Sequence, residues 1–152
     1  MFEELAEKVK ELRRACNDIN RTIQELAILY GDVMRVLNGL WKKRDLFDVH
    51  EELRFDDGKF CIWHDSIYVS CRYEKLFKRI TGLEPLLKRE VEDAMGIIVL
   101  AENLPKIIRW LDELIQKYKR INEGLAKKLE ELKGIFEPLI LAHKIKGSVL
   151  EA

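Results

Sequence analysis

Four side chains near the middle of the chain have the types of a metal site. Cys61-x-x-His64 is followed by Cys71 and preceded by His50. Two thiolates and two imidazoles are a ligand set that tetrahedral zinc takes. Cys61, His64 and Asp65 also supply the nucleophile, base and acid types of a hydrolytic triad. Both chemistries require the side chains to converge. On a strand, successive side chains alternate between faces, so Cys61 and His64 point apart, and the meander derived below also separates Cys61 from Cys71. A Cys61–Cys71 disulfide fails on the same geometry. The chain has no Glu-x-x-His pair of the two-metal bundle type and no glycine-rich phosphate loop. No catalytic residue, metal ligand or cofactor is therefore assigned, and the expectation is a protein that is not an enzyme.

A second constellation points to recognition. Trp63 and Tyr68 share one strand face with Arg54, Lys59 and Arg72. Aromatic rings beside arginine can anchor a protein contact or stack exposed bases. Glu52, Asp56 and Asp65 lie near the same face and oppose a phosphate ligand. The competing expectation is that the protein itself covers this face.

The elements that position these residues follow from periodicity. From Glu52 to Tyr73 the apolar period is two, with turn signals at Asp57-Gly58 and Asp65-Ser66. Strands are expected at 52–56, 59–64 and 67–73. The turns pair Phe55 with Phe60, Leu53 with Ile62, His64 with Ile67, Ile62 with Val69, and Phe60 with Cys71. One face is then Leu53, Phe55, Phe60, Ile62, His64, Ile67, Val69 and Cys71, almost wholly apolar. The other, mixed face carries Glu52, Arg54, Asp56, Lys59, Cys61, Trp63, Tyr68, Ser70 and Arg72.

Helices flank the meander. Leu5, Val9, Leu12, Cys16, Ile19, Ile23, Leu26, Tyr30, Val33, Leu37 and Leu40 step alternately by four and three. So do Leu104, Ile108, Leu111, Ile115, Tyr118, Asn122, Leu125, Leu129, Leu132, Phe136 and Leu139. A sustained 3.5-residue period is the pattern of helices that supercoil around a partner. The first helix is expected over 2–38, stopped by Asn38-Gly39, and the last over 105–146, loosened by Gly134 and Pro138. Between them lie an irregular segment from Leu40 to His50, a helix from Glu74 that ends at Thr81-Gly82, and a helix over 84–103 with Leu87, Val91, Ala94, Ile98 and Ala101 in step.

Each ladder broadens towards the middle of the chain, which matches broad to broad in an antiparallel pair. The fold expected is mainly α with a small β element. A single domain, 1–152, would have stalk helices 2–38 and 105–146 forming an antiparallel helical hairpin, and an inserted head, 40–104, with its sheet at 52–73. Asn122 sits at an inward position, where a polar residue sets register. Ile135, Phe136, Leu139, Ile140 and Leu141 broaden the stripe again and form a candidate association patch.

Composition bounds the remaining classes. Lys plus Arg and Asp plus Glu are 27 each, so there is no global field to attract nucleic acid. From Pro105 to Gly147 there are ten basic against six acidic residues. Three cysteines exclude a complete disulfide framework, and Cys16 and Cys71 read as small hydrophobes. Gln and Thr are rare while Lys, Glu and Arg abound, a thermophile-like balance. The start lacks a basic and apolar leader, and the longest uncharged stretch, Ala94 to Ala101, is too short to span a bilayer. A cytoplasmic protein with no membrane partner is expected. The function expected is protein–protein interaction or assembly, with a foreign partner or a second copy. The alternative is a nucleic-acid-binding accessory protein that uses the mixed sheet face.

Overall fold

The computed structural model describes residues 1–42, 46–86 and 88–151, with side chains described to residue 144. In chain order the elements are α1 (Phe2–Trp41), β1 (His50–Arg54), β2 (Gly58–Trp63), β3 (Ile67–Cys71), α2 (Tyr73–Thr81), α3 (Lys88–Glu102) and α4 (Leu104–Glu151). The fold is mainly α, with one three-stranded antiparallel sheet ordered β1-β2-β3. The chain divides into two compact units, Met1–Ile107 and Ile108–Ala152. The second is the body of α4.

The core of the first unit is built around α3. Val91, Ala94, Met95, Gly96, Ile97, Val99 and Leu100 are all buried, because α3 packs against α1, α2 and β3 at once. A helix enclosed on several sides must be apolar round most of its circumference. Gly96 sets the approach of α1. A Cβ there would lie 2.7 Å from Cε2 of Tyr30, so the ring of Tyr30 occupies the space a side chain would fill. The Tyr30 hydroxyl then donates to the carbonyl of Val69 on β3, at 3.3 Å. Burial is the main reason its phenol is pushed above the ordinary range. Met34 is buried on the same stripe of α1, whereas residues 1–22 are exposed throughout.

The helix α1 runs past Asn38-Gly39 to Trp41, where a stop was expected. Asn38 has a different task. Its amide accepts from the N–H of Ile67 at 2.7 Å and donates to the Ile67 carbonyl at 2.9 Å. It also donates to the Met34 carbonyl one turn back, at 2.8 Å. A side-chain amide carries the same donor and acceptor as a strand, so Asn38 pairs with the outer edge of β3 as a one-residue strand would. Thr81-Gly82 ends α2 as expected. Gly82 is left-handed at φ 75° and its N–H donates to the Lys78 carbonyl at 2.8 Å, the αL cap that glycine accepts without penalty. The third helix begins at Lys88, and Leu87 lies outside the described residues, as do residues 43–45 of the segment expected to be irregular. Pro138 lies inside α4.

The meander forms, but both turns sit one residue earlier than the sequence signals suggest. Asp56-Asp57 connects β1 to β2, flanked by a 2.7 Å bond from the Phe55 N–H to the Gly58 carbonyl. His64-Asp65 connects β2 to β3, flanked by a 2.8 Å bond from the Trp63 N–H to the Ser66 carbonyl. Leu53 therefore pairs with Phe60, and Phe60 with Val69. Moving a hairpin turn by one residue moves every pair by two, and a shift of two preserves the face on which each side chain lies. The division into an apolar and a mixed face survives for this reason. Gly58 shows why the turn moved. It is the first residue of β2, opposite Cys71, and a Cβ there would collide with the Ser70 carbonyl and lie 2.9 Å from Cα of Cys71. Glycine is needed for close strand approach, not for a left-handed turn. Gly82 is the one described residue with positive φ.

Candidate interaction surfaces

The mixed face of the sheet is an array with known neighbours. His50 faces Trp63, Glu52 faces Cys61, which faces Tyr68, and Arg54 faces Lys59, which faces Ser70. At one end the rings make a row. Trp63 stands edge-on to His50 at 4.5 Å between centroids and to Tyr68 at 5.7 Å. Trp63 keeps 37% of its surface exposed. Its carbonyl accepts from the indole N–H of Trp41 at 2.7 Å, which ties the end of α1 to this corner of the sheet. At the other end Arg54, Lys59 and Arg72 line a shallow depression of about 310 Å³ with Ser70 and Asp56. Arg72 has left the sheet, but its N–H donates to the Asp57 carbonyl at 2.9 Å and so continues the β2–β3 ladder.

Between the two ends lies Glu52. Its carboxylate is 3.3 Å from Lys59 Nζ, 3.7 Å from His50 Nε2 and 3.7 Å from Arg54 Nη2. The hydrogen bond from Lys59 is the main reason its carboxyl is held below the usual range. The basic groups of this face are thus partly spent on an internal acid. Under them Cys61 is fully buried. Desolvation pushes its thiol up, against a smaller lowering from its bond with Tyr68. The same bond, with burial, pushes the Tyr68 phenol up to about 12. A raised thiol is the opposite of what a nucleophile needs.

Of the five residues expected to form this surface, Trp63 and Tyr68 meet at one end and Arg54 and Lys59 pair at the other, while Arg72 contributes from the end of the ladder rather than from the face. His50 and Trp41 were missed. His50 was legible in principle, since the two-residue alternation extends back from Arg54 through Glu52. The strand expected over 52–56 begins two residues too late to include it. Trp41 could not be found locally, because its partner is a backbone carbonyl 22 residues away. The metal constellation does not assemble. Cys71 faces α3, with its sulfur 3.6 Å from the Glu92 carbonyl. Burial and the neighbouring acids push its thiol up to about 11. His64 is exposed, with Nδ1 3.8 Å from Asp48. Among the described residues no three His, Cys, Asp or Glu side chains converge on a common point, and no helix is long and apolar enough to cross a membrane.

The helical surfaces are simpler. On α1, the inward ladder positions Leu5, Val9, Leu12, Cys16 and Ile19 are all exposed. On α4, within the second unit, Leu125, Leu129 and Leu132 are exposed, as are Asn122 and all five residues of the association patch, Ile135, Phe136, Leu139, Ile140 and Leu141. No family model matches the chain, and neither a curated protein nor a solved structure matches it.

Proposed function

We propose that this chain is a non-enzymatic assembly protein. A small α/β head is carried on heptad helices, and those helices make contact with other helices. The observation that carries this is the exposure of a regular seam. Leu5 is 59% exposed, Val9 58%, Leu12 66% and Ile19 44%. Scattered exposed leucines need no explanation. A row of them at 3.5-residue spacing over two heptads does, because that period presents one continuous stripe to a partner helix. The ladder on α4 repeats the pattern. An antiparallel hairpin of α1 with α4, either within a chain or exchanged between two chains, is one way to satisfy both stripes, and Asn122 would then set its register.

Nucleic-acid binding by Arg54, Lys59, Trp63, Tyr68 and Arg72 is the weaker reading. The stacking row and the basic depression support it, but Glu52 lies between them and offsets the charge that phosphate binding relies on.

Light scattering behind size exclusion tests the assembly reading. The wild-type chain should associate, either with itself or with an added partner. Leu12→Asp should abolish that association, because it places a charge in the seam. An unchanged elution and mass for Leu12→Asp, under conditions where the wild type associates, would remove the seam from the interface. A high 260 nm absorbance lost in salt would favour the nucleic-acid reading instead.

A further inference from the structure

The charges beside the α1 seam restrict what can lie on it. With Leu5, Leu12 and Ile19 at one inward position and Val9 and Cys16 at the other, the residues that border the seam are Ala6, Lys8, Arg13, Ala15, Asn20 and Thr22. The bordering charges are both basic. Every acid of this stretch, Glu3, Glu4, Glu7, Glu11 and Asp18, falls on the far side of the helix. Several pair there with their own helix, as Glu7 does with Lys10 at 3.2 Å and Asp18 with Arg21 at 3.8 Å. Lys8 reaches back to Glu11 at 3.3 Å, but both groups are more than half exposed. Such an exposed pair holds weakly and is readily exchanged for a better one.

The chain does not supply the complement itself. In a parallel pair of α1 helices the border residue Lys8 would meet Arg13 of the second copy, five residues on, so like charges would face each other. The α4 ladder has the same sign. Its bordering charges from Tyr118 to Leu139 are Lys119, Lys128 and Lys133, again with no acid. A parallel pair of α4 helices would set Lys128 against Lys133. Neither the α1 seam from Leu5 to Ile19 nor the α4 ladder from Tyr118 to Leu139 carries a bordering acid to match the other's bases; the bordering acid of the α4 ladder, Asp112, lies before that stretch.

We infer that the exposed seam of α1 receives a helix of a different protein, one with an apolar heptad stripe bordered by glutamate or aspartate. The inference rests on the assembly reading and specifies the partner's chemistry. The partner's acids would meet Lys8 and Arg13 whichever way the helix runs, since bordering residues face bordering residues in both orientations. Towards the head the seam continues into a groove of about 320 Å³, lined by Ile19, Ile23, Phe77, Leu83 and Leu86. Leu86 there is almost fully exposed. Glu90 also borders this groove, with Glu84, which Lys78 holds at 2.8 Å. The partner's end that enters it is therefore apolar rather than acidic.

Two synthetic heptad peptides test this on the full chain. Both carry leucine at the inward positions, one with glutamate and one with lysine at all bordering positions, so that each is kept from pairing with itself by its own charge. Binding is read by fluorescence anisotropy at low and high salt. The acidic peptide should bind at least about tenfold tighter than the basic one, with the preference shrinking as salt screens it. Lys8→Glu combined with Arg13→Glu should reverse the preference, and Leu12→Asp should abolish binding of both. Equal affinities, a preference for the basic peptide, or no binding by either would overturn the inference. If neither peptide binds yet Leu12→Asp alters the wild-type association state, the assembly reading stands and the acidic partner falls. If neither peptide binds and Leu12→Asp changes nothing, both fall.

Discussion

At the scale of single residues, the mixed sheet face combines an aromatic row with a charge cluster, and the two have different energetics. Trp63 makes two edge-on ring contacts and remains 37% exposed. Pairs of this kind contribute about 0.5–1.5 kcal/mol each beyond area burial. Trp63→Ala should therefore cost about 1–3 kcal/mol in urea denaturation, short of the upper end of the range for a fully buried tryptophan, about 3–5 kcal/mol. A loss of 4 or more, on that same rough scale, would mean the face is internal to an assembly. Glu52 gives a pH dependence of known sign. Its carboxyl is held below the usual range, chiefly by Lys59, so the stabilisation it gives is present above the ordinary carboxylate pKa. It is lost as pH falls through the lowered value. Thermal melts across acidic pH should show this decline, and Glu52→Gln should flatten that part of the profile. A variant with the same acid slope as wild type would place the linkage elsewhere.

At the scale of elements, the sheet has two unlike edges. The outer edge of β3 is closed by two side chains of α1: Asn38 exchanges two hydrogen bonds with Ile67, and the Tyr30 hydroxyl donates to the Val69 carbonyl. Closing an edge is a general need, because an open strand edge templates pairing with other chains. Asn38→Ala should leave the Ile67 N–H and carbonyl without that partner. The expected cost is about 1–3 kcal/mol. Hydrogen exchange at the Ile67 amide should also accelerate, by more than at the β2 amides. Unchanged protection at Ile67 would show that another group closes the edge. The helices α1 and α3 are fitted to each other just as specifically, through Gly96 and the ring of Tyr30. That contact fixes the height at which α1 crosses α3, and so the point at which Asn38 reaches β3.

At the scale of the whole molecule, the buried core belongs to the first unit and the exposed heptad stripes belong to the ends of the chain. Residues 1–22 of α1 and the ladder of α4 beyond Tyr118 bury nothing within their own units. Isolated helices are marginal in water, and helices in proteins draw most of their stability from packing of an apolar face. Assembly through these stripes would stabilise them by mass action. The midpoint of thermal unfolding followed by helical circular dichroism should then rise with protein concentration, or on addition of a partner helix. A midpoint independent of both would argue against assembly.

The amino-acid sequence alone determined the class of each element and the sorting of side chains between faces. The periods of two and 3.5 are local, and each is repeated often enough to outweigh a misplaced boundary. Thr81-Gly82 could be read as a helix end because the left-handed cap is a local demand that glycine meets. Asp57-Gly58 was misleading because glycine answers two demands, positive φ and lack of a Cβ, and only the neighbouring strand shows which one applies. Asn38 could not be assigned from the sequence. The residue that reads as a stop is, 29 positions from its partner, part of the closure of a sheet edge. Tertiary structure decided the register, the burial of Cys61 and the place of Glu52 among the bases. Each of these depends on contacts between segments that no local pattern encodes, since hydrogen bonding and desolvation act on what lies nearby in space.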